Sequence, residues 1–560
     1  FREIDLASIN NYNSKGSYCS LRWLQFNMDW HTISDTDIVY DKKVNQMEVL
    51  KLTIQAINNC LSIRELLTHN LGLIKERRKM SKLFKLNLDN LSEPKIVKEV
   101  MLDLLSKDLF IGKDTLKKMQ TYRTRISLRD LILPNVNFTT KVFQDTLINF
   151  MNLELNAENL KGSFNHKTTY RGLVFSFALG GIHAAKRGVY KNSKDMIVKS
   201  FDAKSFYPNL IIRNHWSPSH ISADVFCKRY EWFYDQRLKY PKPHVLNEWF
   251  KKILNAGFGL SNEKRSFLRD SLLTMQITSN GQLLLVQLVE RLCENIPGAR
   301  PIMLNTDGGE IIFPREHEGI YNEICKEWSI QAKAVLEHDT YRKLIVFDVN
   351  NYIGILSPKK VTKEKAYEMI EKITPKPLIK KVKSDYYHYP VKLVGRFKVN
   401  KELHKNKSFK IKSMAIYNYF VHNTPIEQTI KSSRNINDFF GGVRARGDWK
   451  IKRVCIENGE QVEYPTSKMV RYYVAMEGCK LIKENRTIVD KPYDVTNSKG
   501  VITQSYKKDD VIVKEIKVNA AKVFEKVVNK IDKNKKFEDY DIDYSFYINI
   551  IQKEIKRIES

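Results

Sequence analysis

Hydrophobic and polar residues follow two different periods in the middle third of the chain. The apolar run MIVKSF predicts a buried strand that ends at Asp202, and Pro208 favours a helix that begins just after it. In PIMLNTDGGEIIF, two apolar runs flank Asp307, a pattern typical of a β-hairpin. Strands and helices therefore share this region, which predicts a fold of the α+β class.

The segment VLNEWFKKILNAGFG has helical spacing and carries a second kind of face beside its apolar stripe. The stripe consists of Val245, Leu246, Trp249, Phe250, Ile253 and Leu254. Lys251, Asn255 and Phe258 fall at i, i+4 and i+7 on another face. Just upstream, KRYEWFYDQRLKYP predicts a helix that Pro241 stops, with Arg237 in its last turn. We expect a short antiparallel helical pair whose cations point inward.

Outside this region the pattern is simpler. Apolar residues at three-four spacing predict one long helix from Gln46 to Leu83 with an exposed basic face. The closing stretch FYINIIQKEIKRI predicts an amphipathic helix that packs against the protein, and Gly180-Gly181 marks a tight backbone site. The lysine-rich residues 358–383 are interpreted as a solvated face or linker, with DNA contact as the alternative.

The charge balance points to a polyanionic partner. The 560 residues include 94 Lys and Arg against 64 Asp and Glu, a formal net charge of +30. Buried charges are paired, so this excess creates a positive surface field that suits nucleic acid. A basic protein without such a partner, or one bound to a membrane surface, is the alternative.

Cysteine usage and hydropathy bear on the cellular compartment and on membrane association. Seven cysteines are scattered without a CxxC pair, so neither a disulfide framework nor a zinc knuckle is expected, and a reducing cytoplasm fits. The longest apolar stretch, LLLVQLV, is too short to span a bilayer, and no signal peptide is apparent. We therefore expect no membrane association.

Asp202 and Asp307 form the candidate chemistry. An Asp at a strand end or in a hairpin is usually a turn or capping residue. If the hairpin tip lies beside the end of the first strand, however, the two carboxylates repel each other unless divalent cations lie between them. The AKSF turn after Asp202 exposes backbone amides near a helix start, which suits a phosphate group.

Three motifs in this order resemble those of family B DNA polymerases. DAKSFYP, KKILNAGFG and NTDGG are similar to the family's DxxSLYP, KxxxNSxYG and DTDS. ITSNGQLLL resembles the template-contacting TxxGR element, FALGGIHAA the Gly-Gly element, and YPVKLVGRF the element ahead of the thumb. The first and last segments of the chain resemble bacteriophage members, so the resemblance covers nearly the whole sequence.

This resemblance implies a right-hand polymerase fold behind part of an exonuclease-like domain, with an antiparallel palm sheet, short helical fingers and a thumb. The implied divisions are a C-terminal remnant of an exonuclease-like domain (1–110), a connecting region (111–195), palm (196–220), fingers (221–260), palm (261–390), and thumb with the C-terminal region (391–560). The implied activity is template-directed DNA synthesis in phage replication, in the cytoplasm of an infected bacterium. The implied partners are primer-template DNA and dNTPs, together with replisome factors that the sequence does not identify.

Residue roles carry over from the matching positions. Asp202, Asp307 and the carbonyl of Ala203 would bind two Mg²⁺ ions, for which Mn²⁺ can substitute, and Lys251 would act with them in catalysis. The implied dNTP-binding residues are Lys204, Ser205, Phe206, Tyr207, Arg237 and Asn255, with Tyr207 blocking a 2′-hydroxyl. The implied DNA-binding residues are Gly180, Gly181, Phe258, Gly259, Thr278, Gly281, Lys392 and Arg396.

The sequence departs from the family pattern at several positions. Asn305 replaces the first Asp of the third motif, Phe258 replaces a tyrosine, and Gln282 replaces the arginine of the template element. We expect the loss of the tyrosine hydroxyl to weaken mispair discrimination. The short spacing between Asp202 and Lys251 leaves no room for the insertion of protein-primed members, so a nucleic-acid primer is expected.

Proofreading is not expected. The family needs carboxylates from three exonuclease motifs, and the first two would lie upstream of the region in which the chain begins, at Phe1. The third would fall in YDKKVNQMEVLK, where Glu48 stands in place of an Asp and Asp41 is out of register.

Two rival functions remain open from the sequence. A reverse transcriptase or RNA polymerase also uses palm carboxylates, although these enzymes commonly carry two adjacent acids where Asp307 is followed by glycine. A catalytically inactive DNA-binding relic would need none of Asp202, Asp307 and Lys251, yet all three are present.

Overall fold

The computed structural model describes residues 3–10, 19–33, 43–496, 502–520 and 522–560, with only the backbone described in 486–496 and 502–514. Asp41 and Phe1 lie outside the described residues. The chain divides into two compact units. Unit 1 comprises Phe1–Lys75 and Val399–Glu554, and unit 2 comprises Glu76–Lys398 and Ile555–Ser560.

Runs of helices and runs of strands follow one another along the described chain, as the α+β prediction requires. The helices are α1 (Leu6–Ile9), α2 (Leu21–Asn27), α3 (Gln46–Phe84), α4 (Glu93–Asp108), α5 (Lys113–Lys118), α6 (Lys141–Met151), α7 (Leu160–Ser163), α8 (Phe206–Arg213), α9 (Ala223–Leu238), α10 (Val245–Ser261), α11 (Ser271–Asn295), α12 (Glu318–Gln331), α13 (Lys363–Lys372), α14 (Lys410–Tyr417), α15 (Ile426–Ser432) and α16 (Tyr544–Glu559). The strands are β1 (Arg125–Ser127), β2 (Glu154–Asn156), β3 (Asn165–Tyr170), β4 (Leu173–Ala178), β5 (Gly181–Ala185), β6 (Gly188–Lys191), β7 (Met196–Ala203), β8 (Arg300–Asn305), β9 (Gly308–Pro314), β10 (Leu336–Glu337), β11 (Thr340–Asp348), β12 (Asn351–Leu356), β13 (Lys359–Val361), β14 (Leu378–Val382), β15 (Asp385–Tyr389), β16 (Val391–Leu393), β17 (Gly441–Arg444), β18 (Trp449–Glu457), β19 (Glu460–Pro465), β20 (Met469–Ala475), β21 (Lys480–Thr496), β22 (Ile502–Lys517) and β23 (Phe524–Val527). The α+β class is confirmed, and so are the long helix, the hairpin and the helical pair α9–α10.

A large antiparallel sheet organises unit 2. Its main path runs β16-β12-β11-β7-β9-β8-β5-β4-β3, with β10 paired to β7 and β6 paired to β11. The strand β7 therefore lies at the centre, between the hairpin β8–β9 on one side and β11 and β10 on the other. Central position and burial explain why β7 begins with an apolar run and why the buried Lys199 is ion-paired, with its Nζ 2.6 Å from Glu318 Oε1.

Two groups of buried apolar side chains hold unit 2 together. One packs α6, α11 and α12 against the sheet, and the other joins α4, α9, α10 and α11. Helix α11 belongs to both, and its polar residues are buried as well. Asn280, for example, accepts from the backbone N of Leu133 at 2.7 Å and donates to the carbonyl of Leu131 at 2.8 Å. Helix α11 thus fixes the sheet relative to the helical pair α9–α10.

The long helix α3 is confirmed, and most of its basic residues are exposed as predicted, but the burial of some other residues differs from the simple pattern. Arg77 is fully buried, whereas Leu67 and Leu71 are exposed. Polar contacts line part of the inner side of α3. Asn58 Oδ1 accepts a hydrogen bond from Trp30 Nε1 at 3.0 Å, and Ser62 Oγ accepts one from Gln25 Nε2 at 2.8 Å. Spacing identified the helix, but the side that faces inward depends on its neighbours.

Unit 1 contains two smaller antiparallel sheets and a disulfide. The strands β17-β20-β23 form one sheet and β19-β18-β21-β22 the other. Cys455, on β18, forms a disulfide with Cys479, which precedes β21. The sequence predicted no disulfide framework and did not reveal this single pair, because strand pairing brings together two residues that are 24 positions apart in sequence.

None of the helices among the described residues combines the length and the apolar character needed to cross a bilayer.

Candidate active site

The end of β7 and the start of α8 build the first wall of the site. Ser205 takes a left-handed backbone conformation (φ 49°), which turns the chain between the strand and the helix. Asn209 stabilises this turn by donating to the carbonyl of Lys204 at 2.7 Å. Pro208 lies in the first turn of α8, where a missing N–H costs nothing. The strand-to-helix turn predicted at Asp202 is therefore present.

The hairpin β8–β9 brings Asp307 beside Asp202. Its two-residue turn is Thr306-Asp307, and Asn305 pairs with Gly308 across it. Gly308 is in turn the register partner of Asp202 on β7, and the backbone N of Ala203 donates to the carbonyl of Asp307 at 2.7 Å. The two carboxyl groups thus lie at the same end of adjacent strands.

Glycine at 308 is required by this close approach. A Cβ added there would lie 2.4 Å from Asp202 Oδ1 and 2.5 Å from the carbonyl oxygen of Phe201. The strands could not keep this separation with a larger residue, because one of the two contacts is with backbone. The Asp-Gly pair that signalled a hairpin therefore also sets the distance between the two acids.

The surrounding protein opposes ionisation of both acids. Burial raises the pKa of Asp202 to about 6, the charge of Lys392 opposes this rise, and the charges of Asp307 and Asp339 add to it. Asp307 is exposed at the hairpin tip, yet the walls around it still desolvate its carboxyl group and raise its pKa, while the charge of Lys251 lowers it. A bound cation would stabilise the ionised forms of both carboxyl groups, which burial and mutual repulsion otherwise disfavour.

The helical pair α9–α10 supplies the opposite wall. Arg237 is 5% exposed, and its Nη1 donates to Ser205 Oγ, which ties the last turn of α9 to the turn after β7. Lys251, Asn255 and Phe258 lie on the face of α10 that lines the same cavity. Their spacing of about one helical turn explains why the sequence placed them together.

A cavity of about 410 Å³ joins these elements. The lining residues that the sequence singled out are Gly180, Asp202, Ala203, Lys204, Ser205, Phe206, Tyr207, Arg237, Lys251, Asn255, Phe258 and Asp307. Lys242, Thr306 and Glu337 also line it and were not anticipated. Lys242 Nζ lies 3.4 Å from Glu337 Oε2, an ion pair between the α9–α10 loop and β10.

Tyr207 forms part of the floor of the cavity. Its hydroxyl donates to the carbonyl of Gly180 at 3.4 Å, and its ring lies edge-on to Phe258 with centroids 5.1 Å apart. Gly281 packs beneath it, since a Cβ there would lie 2.8 Å from Tyr207 Cε1. The ring is therefore held from three sides.

Several residues predicted to bind DNA are buried and do not line the cavity. Thr278 is 0% exposed and donates to the carbonyl of Thr274 at 2.7 Å. Gly281 packs under Tyr207, and Gly181 is covered by the side chain of Thr306, 2.6 Å from where a Cβ would be. These three residues therefore have packing roles in this structure, and their contact with DNA stays a prediction.

Gly259, Arg396 and Glu48, which the sequence also singled out, lie outside the cavity lining. Gly259 is exposed on α10 with open space around it, and the Arg396 guanidinium lies 4.2 Å from the ring centroid of Phe347. Glu48 forms a reciprocal cap with Asn45 at the start of α3, accepting from its N at 2.8 Å. The possible exonuclease remnant thus has a local structural role, and the absence of proofreading stays a prediction.

The template-element substitution has a clear structural consequence. Gln282 is buried on α11, where its Nε2 donates to the carbonyl of Ala178 and its Oε1 accepts from the N of Ala178, both at 3.2 Å. The side chain therefore joins α11 to β4 near the Gly180 edge of the cavity and does not reach its surface.

Sequence reasoning missed Glu310 and Asp339 beside the acids, whereas Lys392 was predicted to bind DNA. Glu310 is buried on β9, accepts from Tyr341 Oη at 3.4 Å, and has its pKa raised to about 8 by burial and then by the charge of Asp202. Lys392 Nζ lies 2.6 Å from Asp339 Oδ2. Glu310 had one available signal, because it is a lone acid in an otherwise apolar strand.

A packing contact within α9–α10 leads to a stability prediction. Replacing Gly257 by alanine is expected to destabilise the protein by about 1–3 kcal/mol, because the core there is already full. The added Cβ would lie 1.3 Å from the hydroxyl oxygen of Tyr230, which is fully buried. Chemical unfolding would measure the loss as a lower midpoint.

Gly259→Ala is the matched control on the same helix, since nothing lies within 4 Å of a Cβ there. Equal midpoints for Gly257→Ala and Gly259→Ala would contradict the packing explanation.

Comparison with known proteins adds little to this geometry. No family model matches the sequence, and no curated protein matches it. A solved structure with some similarity is the family B DNA polymerase from the hyperthermophilic archaeon Pyrobaculum calidifontis, with 11% sequence identity and a TM-score of 0.37. The match covers 93% of this chain and 58% of that one. A TM-score this low is not evidence for a shared fold.

Proposed function

We propose that the chain is a template-directed DNA polymerase that adds deoxynucleotides to a primer 3′-hydroxyl. The observation that supports this best is the pair Asp202 and Asp307 at one end of adjacent strands, facing Lys251 and Arg237 across a single cavity. Paired acids opposed by fixed cations suit a reaction in which a triphosphate is held and split.

The donor set fits divalent metal ions of the Mg²⁺ type. Carboxylates of Asp202 and Asp307, with the carbonyl of Ala203, offer oxygen ligands, and Mg²⁺ is commonly bound by one or two carboxylates plus substrate phosphates. Within the described residues no three His, Cys, Asp or Glu side chains are grouped closely enough to hold a metal alone, so substrate oxygens would complete the coordination. Bound Mg²⁺, or Mn²⁺ in its place, would activate the primer hydroxyl and stabilise the leaving pyrophosphate.

The chain's own residues would position the nucleotide. Backbone amides of the 204–206 turn would bind the phosphate tail at the start of α8, where helix amides attract anions. Arg237, held by Ser205, and Lys251 would neutralise charge on the phosphates. Asn255 would orient the incoming nucleotide, and Phe258 would lie against the new base pair.

The finer assignments belong to the same proposal. By resemblance to family B polymerases of bacteriophages, residues 196–220 and 261–390 form the palm, 221–260 the fingers and 391–560 the thumb. Lys392 and Arg396 then contact the primer duplex, and the cytoplasm of an infected bacterium is the place of action. A primer-extension assay of the purified chain with Mg²⁺ and dNTPs tests the activity.

The rival functions predict different results in that assay. Extension on an RNA template at the rate seen on DNA would favour a reverse transcriptase. Binding of primer-template DNA without extension under either metal would favour an inactive relic.

Tyr207 provides a prediction about sugar selection. Replacing it by valine is expected to raise the use of ribonucleotides relative to deoxynucleotides by about 10-fold or more, because the ring no longer blocks a 2′-hydroxyl. Single-nucleotide incorporation with dCTP and CTP gives the ratio of kcat/KM values.

Tyr207→Phe is the control, since it keeps the ring and removes only the hydrogen bond to Gly180. An unchanged ratio in the valine variant would exclude this role for Tyr207.

A further inference from the structure

A second cavity of about 230 Å³ lies in unit 2 and has basic walls. Lys161, Lys264 and Arg269 line it, and Glu158 is the only acid among its lining residues. Ser261, Asn262 and Leu179 complete the side that faces α10 and β4. The nucleotide roles proposed above use none of these side chains.

This cavity is a neighbour of the candidate active site along two segments. Leu179 lines the second cavity, and the next residue, Gly180, lines the first. Phe258 lines the first, and Ser261 and Asn262, one helical turn further along α10, line the second. A strand that leaves the nascent base pair past Phe258 would therefore enter the second cavity.

The loop that carries two of the cations is firmly anchored. Gln120 Nε2 donates to the carbonyls of Lys264 at 3.1 Å and Ser266 at 2.8 Å. The backbone N of Thr121 donates to the carbonyl of Arg269 at 3.0 Å. Asp270, which is fully buried, caps α11 and accepts from Arg123 Nε at 3.2 Å and from Ser219. The cationic groups thus start from a fixed backbone.

Tyr122 projects from the same anchor. It is 72% exposed, although its hydroxyl donates to Gln120 Oε1 at 2.5 Å and the Arg269 guanidinium lies 4.9 Å from its ring centroid. These contacts restrain the ring and leave most of its surface open. An exposed, restrained aromatic ring beside basic side chains is the arrangement on which unpaired bases stack.

We propose that this cavity and Tyr122 bind the unpaired template strand ahead of the templating base. Lys161, Lys264 and Arg269 contact its phosphates, and Tyr122 stacks on one of its bases. The ligand is single-stranded DNA, since three cations against one carboxylate and an open ring suit a polyanion with flat bases. The inference rests on the proposed polymerase function, because that function gives the cavity a template strand to receive.

Equilibrium binding without metal tests the site separately from catalysis. Fluorescence anisotropy in EDTA would compare a blunt duplex with the same duplex bearing an eight-nucleotide 5′ template overhang. We expect the overhang to tighten binding by the wild-type chain about 10-fold or more. Tyr122→Ala and the Lys264→Ala/Arg269→Ala double variant are each expected to lose about 5-fold or more of that gain, with blunt-duplex affinity unchanged.

Matched controls separate the site from general charge or exposure. Phe110→Ala removes another exposed aromatic ring (96% exposed) and Lys141→Ala another exposed cation, and both are expected to keep the full gain. Tyr122→Phe keeps the stacking surface and should therefore also keep the full gain in affinity. For the double variant, the plot of log binding constant against log salt concentration for the overhang duplex should be shallower by about 1–2 in slope.

The outcomes distinguish this inference from the proposed activity. If the overhang adds no affinity to the wild type, or if the gain survives in Tyr122→Ala and in the double variant, the inference is wrong even when primer extension succeeds. If the variants lose the gain while the wild type incorporates no nucleotide, the single-strand site stands and the proposed activity fails.

Discussion

Asp307→Asn is expected to lower the rate of primer extension by about 1000-fold or more, in line with the loss of an essential electrostatic group from a reacting centre. Asparagine keeps the size and the hairpin turn but removes the charge that, with Asp202, would hold the metal ions. Primer-template affinity should stay within about 3-fold, because Asp307 adds no favourable charge towards DNA phosphates. Single-turnover extension and a separate DNA-binding assay would measure the two quantities.

Asp348→Asn is the matched control for this experiment. Asp348 lies at the turn of another hairpin in the same sheet, where its Oδ1 accepts from the backbone N of Asn350 at 2.9 Å, and it does not line the cavity. The Asp348→Asn variant should extend primers at a rate within about 3-fold of the wild-type rate. Wild-type rates in Asp307→Asn would remove the central support of the proposed function.

The second large effect concerns two adjacent lysines. Lys251→Ala is expected to reduce kcat for nucleotide addition by about 100-fold or more, because Lys251 lines the cavity and its charge acts on Asp307. Lys252 points elsewhere, with its Nζ 2.8 Å from Glu93 Oε1 and 4.7 Å from the ring centroid of Trp249. Lys252→Ala should therefore keep kcat within about 3-fold.

Pre-steady-state incorporation at saturating dNTP measures this pair directly. The comparison holds residue type and helix constant and changes only the direction of the side chain. Similar losses in both variants would indicate damage to α10 itself, and no loss in Lys251→Ala would exclude its proposed role in catalysis.

Short-range patterns in the sequence predicted much of the candidate site. The apolar run before Asp202, the Asp-Gly pair in the hairpin, and the i, i+4, i+7 spacing of Lys251, Asn255 and Phe258 each depend on residues within one or two turns. Such signals survive in any tertiary context, because backbone geometry fixes which neighbours share a face. Asp202, Asp307, Lys251, Asn255 and Phe258 all line one cavity.

Burial was the point at which sequence reasoning failed. Thr278 lies in a stretch that resembles a template-contacting element, and Gln282 replaces that element's arginine, yet both are buried on α11 and donate to backbone carbonyls. Leu67 and Leu71 belong to the apolar three-four spacing of α3 but are exposed, while Arg77 is buried. Periodicity defines the faces of an element, but only its packing partners determine which face is inside.

Hydrophobic period and turn chemistry in this chain are local, so the residues alone specified a strand that ends at Asp202, a hairpin at Asp307 and a helix that presents Lys251. Long-range register and burial are collective, so the assembled sheet was needed to pair Asp202 with Gly308, to bury Glu310 beside the acids and to join Cys455 with Cys479. The energies of these contacts depend on partners more than 20 residues away, and no window of sequence contains both members.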